Sequence, residues 1–142
     1  MKTFLIAAAA ALILPGAASA SSAADLTGNW RLVVTAGDMT FSIDCSMVEK
    51  GPALSGSCTP VGVDGAQPSS FTGRVKDTTA IWAYDVETDG PPMHLNYAAS
   101  IRSATSMVGA IIQGDSTVAF TATKAVPGAP DAAAAPVTTA VP

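Results

Sequence analysis

The stretch Leu26–Val34 has the sequence LTGNWRLVV, in which a glycine and a tryptophan are followed by alternating apolar residues. Trp30, Leu32 and Val34 would share one face of an extended chain, because successive side chains of a strand point to opposite faces. The pattern predicts a half-buried β-strand with a tryptophan near its start. The other segments of the chain provide further strands that can pack around it.

The same alternation of apolar and polar residues recurs along the chain. It is clearest over residues 39–48, where Met, Phe, Ile, Cys and Met alternate with Thr, Ser, Asp and Ser. Short strands of this kind, separated by turn residues and without a helical period, indicate an all-β sandwich or barrel of about eight strands. The predicted strands are 27–35, 39–48, 53–59, 70–76, 79–87, 93–101, 105–113 and 116–124.

A short motif favours the barrel over the sandwich. An apolar residue, a spacer and a glycine recur at 26–28, 54–56, 71–73 and 107–109. Glycines within strands mark bends or close approaches of the backbone. Such curvature allows a small sheet to close on itself and so removes its edges. We therefore expect a small up-and-down antiparallel barrel over residues 25–124, with a sandwich as the alternative.

The N-terminal segment is predicted to be a signal peptide, residues 1–20. A lysine, an unbroken apolar run and a small-residue Ala-Ser-Ala site are typical of an export signal, and the run is too short to span a bilayer. We expect cleavage after Ala20, with Ala24 as the alternative, and no membrane span afterwards. The protein is therefore expected in the periplasm or outside the cell.

The C-terminal segment 125–142 has the sequence AVPGAPDAAAAPVTTAVP. It contains no aromatic residue or long aliphatic side chain that could offset the entropy lost on ordering, and so it is predicted to be disordered.

The two cysteines are predicted to form a disulfide. If Glu49 pairs with Leu54 across the loop between two strands, Cys45 lies directly opposite Cys58, within reach of a bridge after slight adjustment. Export to an oxidising compartment makes this bridge the expected state.

Charge and titratable residues exclude several classes of function. The net charge is −4 with only seven Lys and Arg, whereas nucleic-acid binding needs clustered basic residues. His94 is the single histidine and is predicted to face solvent, so neither a catalytic triad nor a typical zinc site is indicated. Asp85, Glu87 and Asp89 are interpreted as a solvated rim. We expect no enzyme activity, no cofactor and no metal.

Aromatic residues offer a candidate binding site. Phe41, Phe71, Trp82, Tyr84 and Tyr97 are predicted to alternate into the interior, where they either fill the core or line a ligand cavity.

Gly28-x-Trp30, the repeated apolar-x-Gly strands and the closing segment 119–124 (AFTATK) resemble the small lipocalin-like (calycin) domains exported by bacteria. In such domains the tryptophan plugs one end of the barrel, and the other end is open to a small apolar ligand. The resemblance implies a monomeric, non-enzymatic binding module in which Trp30 is structural and Gly28 leaves room for its ring. A pocket would then lie at the opposite end, near loops 60–69 and 88–92.

A second resemblance is to periplasmic protease inhibitors of the metalloprotease-inhibitor (Inh) type. These also begin with Gly-x-Trp, form an eight-stranded barrel and carry one disulfide. The resemblance implies an alternative function, a protease inhibitor or other protein-binding barrel, in which an N-terminal extension, here residues 21–25, enters the protease cleft.

Overall fold

The computed structural model describes residues 24–125. The predicted signal peptide with its Ala20 cleavage site, and residues 126–142 of the predicted tail, lie outside the described residues. Within the described range the protein is all-β, and no helix there is long and apolar enough to cross a membrane. The strands are β1 (Gly28–Ala36), β2 (Met39–Lys50), β3 (Ala53–Pro60), β4 (Ser69–Lys76), β5 (Thr79–Val86), β6 (Met93–Ser103), β7 (Ser106–Gln113) and β8 (Ser116–Lys124).

The eight strands form a closed antiparallel barrel. Each strand pairs with the next one along the chain, and β8 pairs with β1, where Val34 lies opposite Phe120. Closure pairs both edges of every strand in this barrel. The prediction of an up-and-down eight-stranded barrel is therefore confirmed, and the sandwich alternative is not observed. The predicted strand bounds match those of the structure at half of the ends and differ by one or two residues at the others.

The hairpin of β2 and β3 has the predicted register. Glu49 pairs with Leu54, and Cys45 pairs with Cys58. The two cysteines form a disulfide with their Cα atoms 4.1 Å apart, and both side chains are buried. The inward alternation of both strands explains this position, because the bridge lies between two residues that face the core.

One end of the barrel is covered by the segment that precedes β1. Leu26 and Trp30 are buried there, and Trp30 Nε1 donates a hydrogen bond to the carbonyl oxygen of Leu26 at 2.8 Å. Lys124 Nζ donates to the carbonyl oxygen of Asp25 at 2.9 Å and lies 5.9 Å from the centroid of the Trp30 ring. We call this the closed end of the barrel.

The backbone conformation of Gly28 and its contact with the last strand both bear on the choice of glycine at this position. A Cβ atom at Gly28 would lie 2.7 Å from Cε of Lys124, and Trp30 is not among its nearest neighbours. The φ of Gly28 is also positive, at 140°. The positive φ favours glycine at this position, and the Lys124 stem lies beside it. The predicted role of Gly28, to leave room for the Trp30 ring, stays a prediction.

The glycine of the β4 motif marks a close approach between strands. A Cβ atom at Gly73 would overlap the carbonyl oxygen of Ile81 and lie 2.7 Å from Cβ of Trp82. The Trp82 side chain therefore packs over the β4 backbone at a position where only glycine fits. This agrees with the expectation that strand glycines permit close approach in a small, strongly curved barrel.

Candidate functional site

The open end of the barrel lies opposite Trp30. Because neighbouring strands run in opposite directions, the turn 37–38, the loops 61–68 and 87–92, and the turn 114–115 all lie at this end. The loop 61–68 is the longest of these connections. These loops surround the mouth of a cavity that extends from the open end into the nearer half of the barrel.

The cavity has a volume of about 590 Å³. Its walls are mainly apolar, because the inward positions in the halves of the strands nearest the open end carry aliphatic side chains. Part of its rim is formed by the backbone and side chains of residues 63–69. The aliphatic wall consists of Ile43, Val86, Met93, Leu95, Ile111 and Val118.

Two tyrosines lie in the wall of the cavity nearest the core. Tyr84 and Tyr97 are 7% and 2% exposed, and their rings stack with centroids 5.2 Å apart. Their hydroxyl oxygens are 2.5 Å apart and share a hydrogen bond. Burial raises the pKa of Tyr84, and burial together with the neighbouring Tyr84 raises the pKa of Tyr97. Both phenols are therefore neutral at physiological pH.

The hydroxyl pair has capacity for one more hydrogen bond as a donor. Two hydroxyls carry two hydrogens, and the bond between Tyr84 and Tyr97 uses one of them. Within residues 24–125 neither hydroxyl has another partner. A buried O–H group without an acceptor is costly, so the free hydrogen is available to an acceptor inside the cavity.

The predicted aromatic residues separate into two groups. Phe41, Tyr84 and Tyr97 line the cavity. Trp82 stacks on Tyr97 with centroids 5.0 Å apart, and Phe71 lies 6.0 Å from Trp82, but neither Trp82 nor Phe71 lines the cavity. These two residues are buried in the core of the barrel, where Trp82 Nε1 has no acceptor among the described residues.

Several lining residues were missed by sequence reasoning, which considered aromatic side chains only. Leu95 and Val118 occupy inward positions of the predicted alternation, so their position in the sequence already indicated them. The sequence analysis placed a pocket near loop 60–69 but could not show which residues of the loop face it, because a loop has no periodicity that shows which way it folds.

The charged groups that line the cavity are all acidic. Asp64 of the 61–68 loop and Glu87 of the 87–92 loop are lining residues, whereas no Lys, Arg or His of the described range lines the cavity. The remaining polar contributions come from neutral side chains such as Gln67, Gln113 and Ser116.

The histidine of the described residues lies away from the cavity. His94 is exposed, and its Nδ1 lies 2.6 Å from Oδ1 of Asp85 on the outside of the barrel. Within residues 24–125 no group of three or more His, Cys, Asp or Glu side chains could hold a metal ion.

A second depression of about 470 Å³ lies on the outer surface of β4 to β7. It is shallow, and its apolar contribution includes the exposed side chains of Ile81 and Ile112. Two consecutive residues of β7 therefore face different sites. Ile111 lines the interior cavity, and Ile112 lines the outer depression.

No protein-family model matches the sequence, and no curated protein matches it. Among solved structures, the chain is similar to a redesigned β-barrel, mFAP1, bound to DFHBI, with 15% identity, coverage of 70% of this chain and 94% of that chain, and a TM-score of 0.49. It is also similar to a point mutant of the fluorescent protein UnaG, with 10% identity, coverage of 71% and 96%, and a TM-score of 0.45. Likenesses this distant carry no inference about function.

Proposed function

We propose that the protein is an exported, soluble, non-enzymatic barrel that binds a small apolar ligand in the cavity at its open end. The observation that supports this most strongly is the cavity itself. Its volume of about 590 Å³ is typical of ligand-binding pockets, which are mainly apolar with a few polar groups.

The distribution of side chains within the barrel supports a binding role. In the closed half, Trp30, Leu32, Leu54 and Met107 are fully buried and fill the interior. In the open half the inward side chains leave space between them. Displacing water from an aliphatic wall stabilises a bound apolar molecule by about 25 cal/mol for each Å² removed from water.

The tyrosine pair would orient the ligand. The free hydroxyl hydrogen of Tyr84 or Tyr97 can donate to an oxygen or nitrogen of a ligand that reaches the inner wall. The raised pKa of both phenols keeps this hydrogen in place at neutral pH. A ligand with one acceptor on its inner end would satisfy this group, whereas a pure hydrocarbon would leave it without a partner.

The disulfide supports the predicted compartment. Disulfides persist in oxidising environments and are rare in the cytosol. The bridge between Cys45 and Cys58 therefore fits the periplasmic or secreted location expected from the N-terminal sequence.

The protease-inhibitor alternative stays a prediction. Residues 21–23 of the expected extension lie outside the described residues. The carbonyl oxygen of Asp25 accepts a hydrogen bond from Lys124 Nζ at the closed end, opposite the cavity.

Fluorescence titration with Nile red, a neutral apolar dye, tests the proposed function. We expect saturable binding by the wild-type protein and its loss in Val118→Trp, because the larger side chain would occupy the cavity. Thr117→Trp is the matched control, since Thr117 is the exposed neighbour of Val118 on the same strand. Equal binding by both variants, or no binding by the wild-type protein, would contradict a ligand site in the cavity.

A further inference from the structure

Charge is distributed unevenly along the barrel axis. Within the described residues, every Lys and Arg lies in the closed half or near the middle of a strand, where Arg31 pairs with Asp44 at 2.7 Å. Among the described residues, the charged side chains of the loops and strand ends around the mouth are all acidic, and one histidine lies beside them. The carboxylates at the open end are Asp38, Asp64, Asp85, Glu87, Asp89 and Asp115.

Two of these carboxylates belong to the cavity. Asp64 and Glu87 line it and come from different loops, so negative charge is contributed by more than one element of the mouth. The histidine does not offset this charge at the site. The His94 side chain lies within hydrogen-bond distance of the Asp85 carboxylate and does not line the cavity.

A ligand with a carboxylate or sulfate head would meet no cationic partner among the described residues that line this cavity. Of the described residues that line the cavity, Tyr84 and Tyr97 are more than nine-tenths buried, and their neutral hydroxyls retain one free hydrogen. These hydroxyls can hold an uncharged acceptor of the ligand. They cannot replace the counter-ion that an anionic head would need on leaving water.

A cationic head would have partners of two kinds. The carboxylates of Asp64 and Glu87 attract it, and Phe41, which also lines the cavity and is 42% exposed, provides an aromatic ring there. Ammonium groups are attracted to aromatic faces as well as to carboxylates. The apolar body of the same molecule would occupy the aliphatic part of the cavity below.

We infer that the cavity takes a cationic amphiphile, an apolar body with an ammonium-type head, with the head at the mouth beside Asp64 and Glu87. This inference rests on the proposed function, because it names the class of ligand for the same cavity. It separates this barrel from a carrier of fatty-acid-like anions.

Calorimetric titration of the purified protein with three probes of equal chain length tests the inference. The probes are decyltrimethylammonium, decanol and decanoate, each used below its aggregation concentration at neutral pH. We expect the cation to bind about tenfold more tightly than the anion at low ionic strength, with the alcohol between them. The difference should shrink as salt is raised from about 20 mM to about 300 mM, because the rim charges are exposed to solvent.

Single-charge variants assign the effect to the mouth. Asp64→Asn and Glu87→Gln should each weaken binding of the cation about threefold, and weaken binding of decanol by less than this, because decanol carries no charge. Asp77→Asn is the matched control, because it removes one negative charge from the turn at the closed end. The φ of Asp77 is 53°, a conformation that asparagine also tolerates.

The possible outcomes separate the two proposals. Preferred binding of the cation, reduced by the mouth variants and not by Asp77→Asn, would support the inference. Binding of decanoate as tight as or tighter than that of the cation would overturn it, and binding of decanol would in that case leave the proposed function intact. Failure of all three probes to bind would overturn both.

Discussion

The hydroxyl oxygens of Tyr84 and Tyr97 lie 2.5 Å apart, at the inner wall of a cavity whose other deep residues are aliphatic. Tyr97 also stacks on Trp82, so the two tyrosines lie between the cavity and the packed core of the barrel. Two polar atoms are thus held in an apolar setting by their bond to each other. This relationship has measurable consequences for stability and for titration.

Removing one hydroxyl of the pair should destabilise the protein. Tyr97→Phe leaves the Tyr84 hydroxyl buried without a protein partner, and Tyr84→Phe does the same to Tyr97, so each should lower the free energy of unfolding by about 1 kcal/mol. The double variant Tyr84→Phe/Tyr97→Phe should cost less than the sum, because it leaves no orphaned hydroxyl. Urea denaturation of the four proteins measures this coupling, and additive costs would contradict it.

The two phenols should resist ionisation in the folded protein. The chain contains two tyrosines, both in this pair, so tyrosinate absorbance reports on them alone. Burial raises the pKa of each. At about pH 11 we expect less tyrosinate in the native protein than in denaturant, where the ordinary pKa of about 10 applies. Equal absorbance in the two states would contradict the buried pair.

The same shifts predict a loss of stability at alkaline pH. Above about pH 10 the unfolded chain releases its phenolic protons more readily than the native state, because the pKa of each phenol is raised in the folded protein, so rising pH favours unfolding. The stabilisation is fully present below that pH. The variant Tyr84→Phe/Tyr97→Phe should lose less stability over the same interval, as measured by urea denaturation at about pH 9 and about pH 11. An identical decline in both proteins would assign the effect to other groups.

The disulfide should contribute substantially to stability. Cys45 and Cys58 are separated by 13 residues, and closing a loop of this size stabilises a protein by about 3 kcal/mol in the chain-entropy model. We expect Cys45→Ala/Cys58→Ala to unfold at a correspondingly lower urea concentration. Thiol titration of the denatured, unreduced protein should find no free thiol, and two free thiols would show that the bridge does not form.

The close approach at Gly73 predicts a large cost for a small substitution. Gly73→Ala places a methyl group against the backbone of Ile81 and the side chain of Trp82, and should destabilise the barrel by about 1–3 kcal/mol. Gly90→Ala is the control, because the nearest atom to its new Cβ is Oγ1 of Thr88 at 3.8 Å. A similar effect of the two substitutions on the thermal midpoint would contradict the packing at Gly73.

The barrel and the register of its β2–β3 hairpin could be predicted from the sequence because both depend on local patterns. Alternation determines which residues face inward, and the Glu49–Leu54 pairing across a short loop places Cys45 opposite Cys58. Strand glycines such as Gly73 indicated curvature. Each of these signals lies within one strand or one hairpin.

The site was only partly predictable, for physical reasons. Phe41, Tyr84 and Trp82 share the same inward alternation, but whether a side chain fills the core or lines a cavity depends on its height along the barrel axis. That height is determined by the stagger of all the strands together. The proximity of Lys124 to Gly28 could not be predicted, because Lys124 belongs to the last strand and only closure of the barrel brings it beside the first.

Methyl NMR during titration with decanol shows directly whether a ligand enters the cavity at the open end. Ile111 lines the cavity and is 4% exposed, whereas Ile112, the next residue, lies in the outer groove and is 38% exposed. We expect saturable shifts of the Ile111 methyl signals, together with those of Leu95 and Val118, and little change at Ile112. Saturable shifts at Ile112 with Ile111 unchanged, or no shift at either residue, would contradict a ligand-binding cavity at the open end.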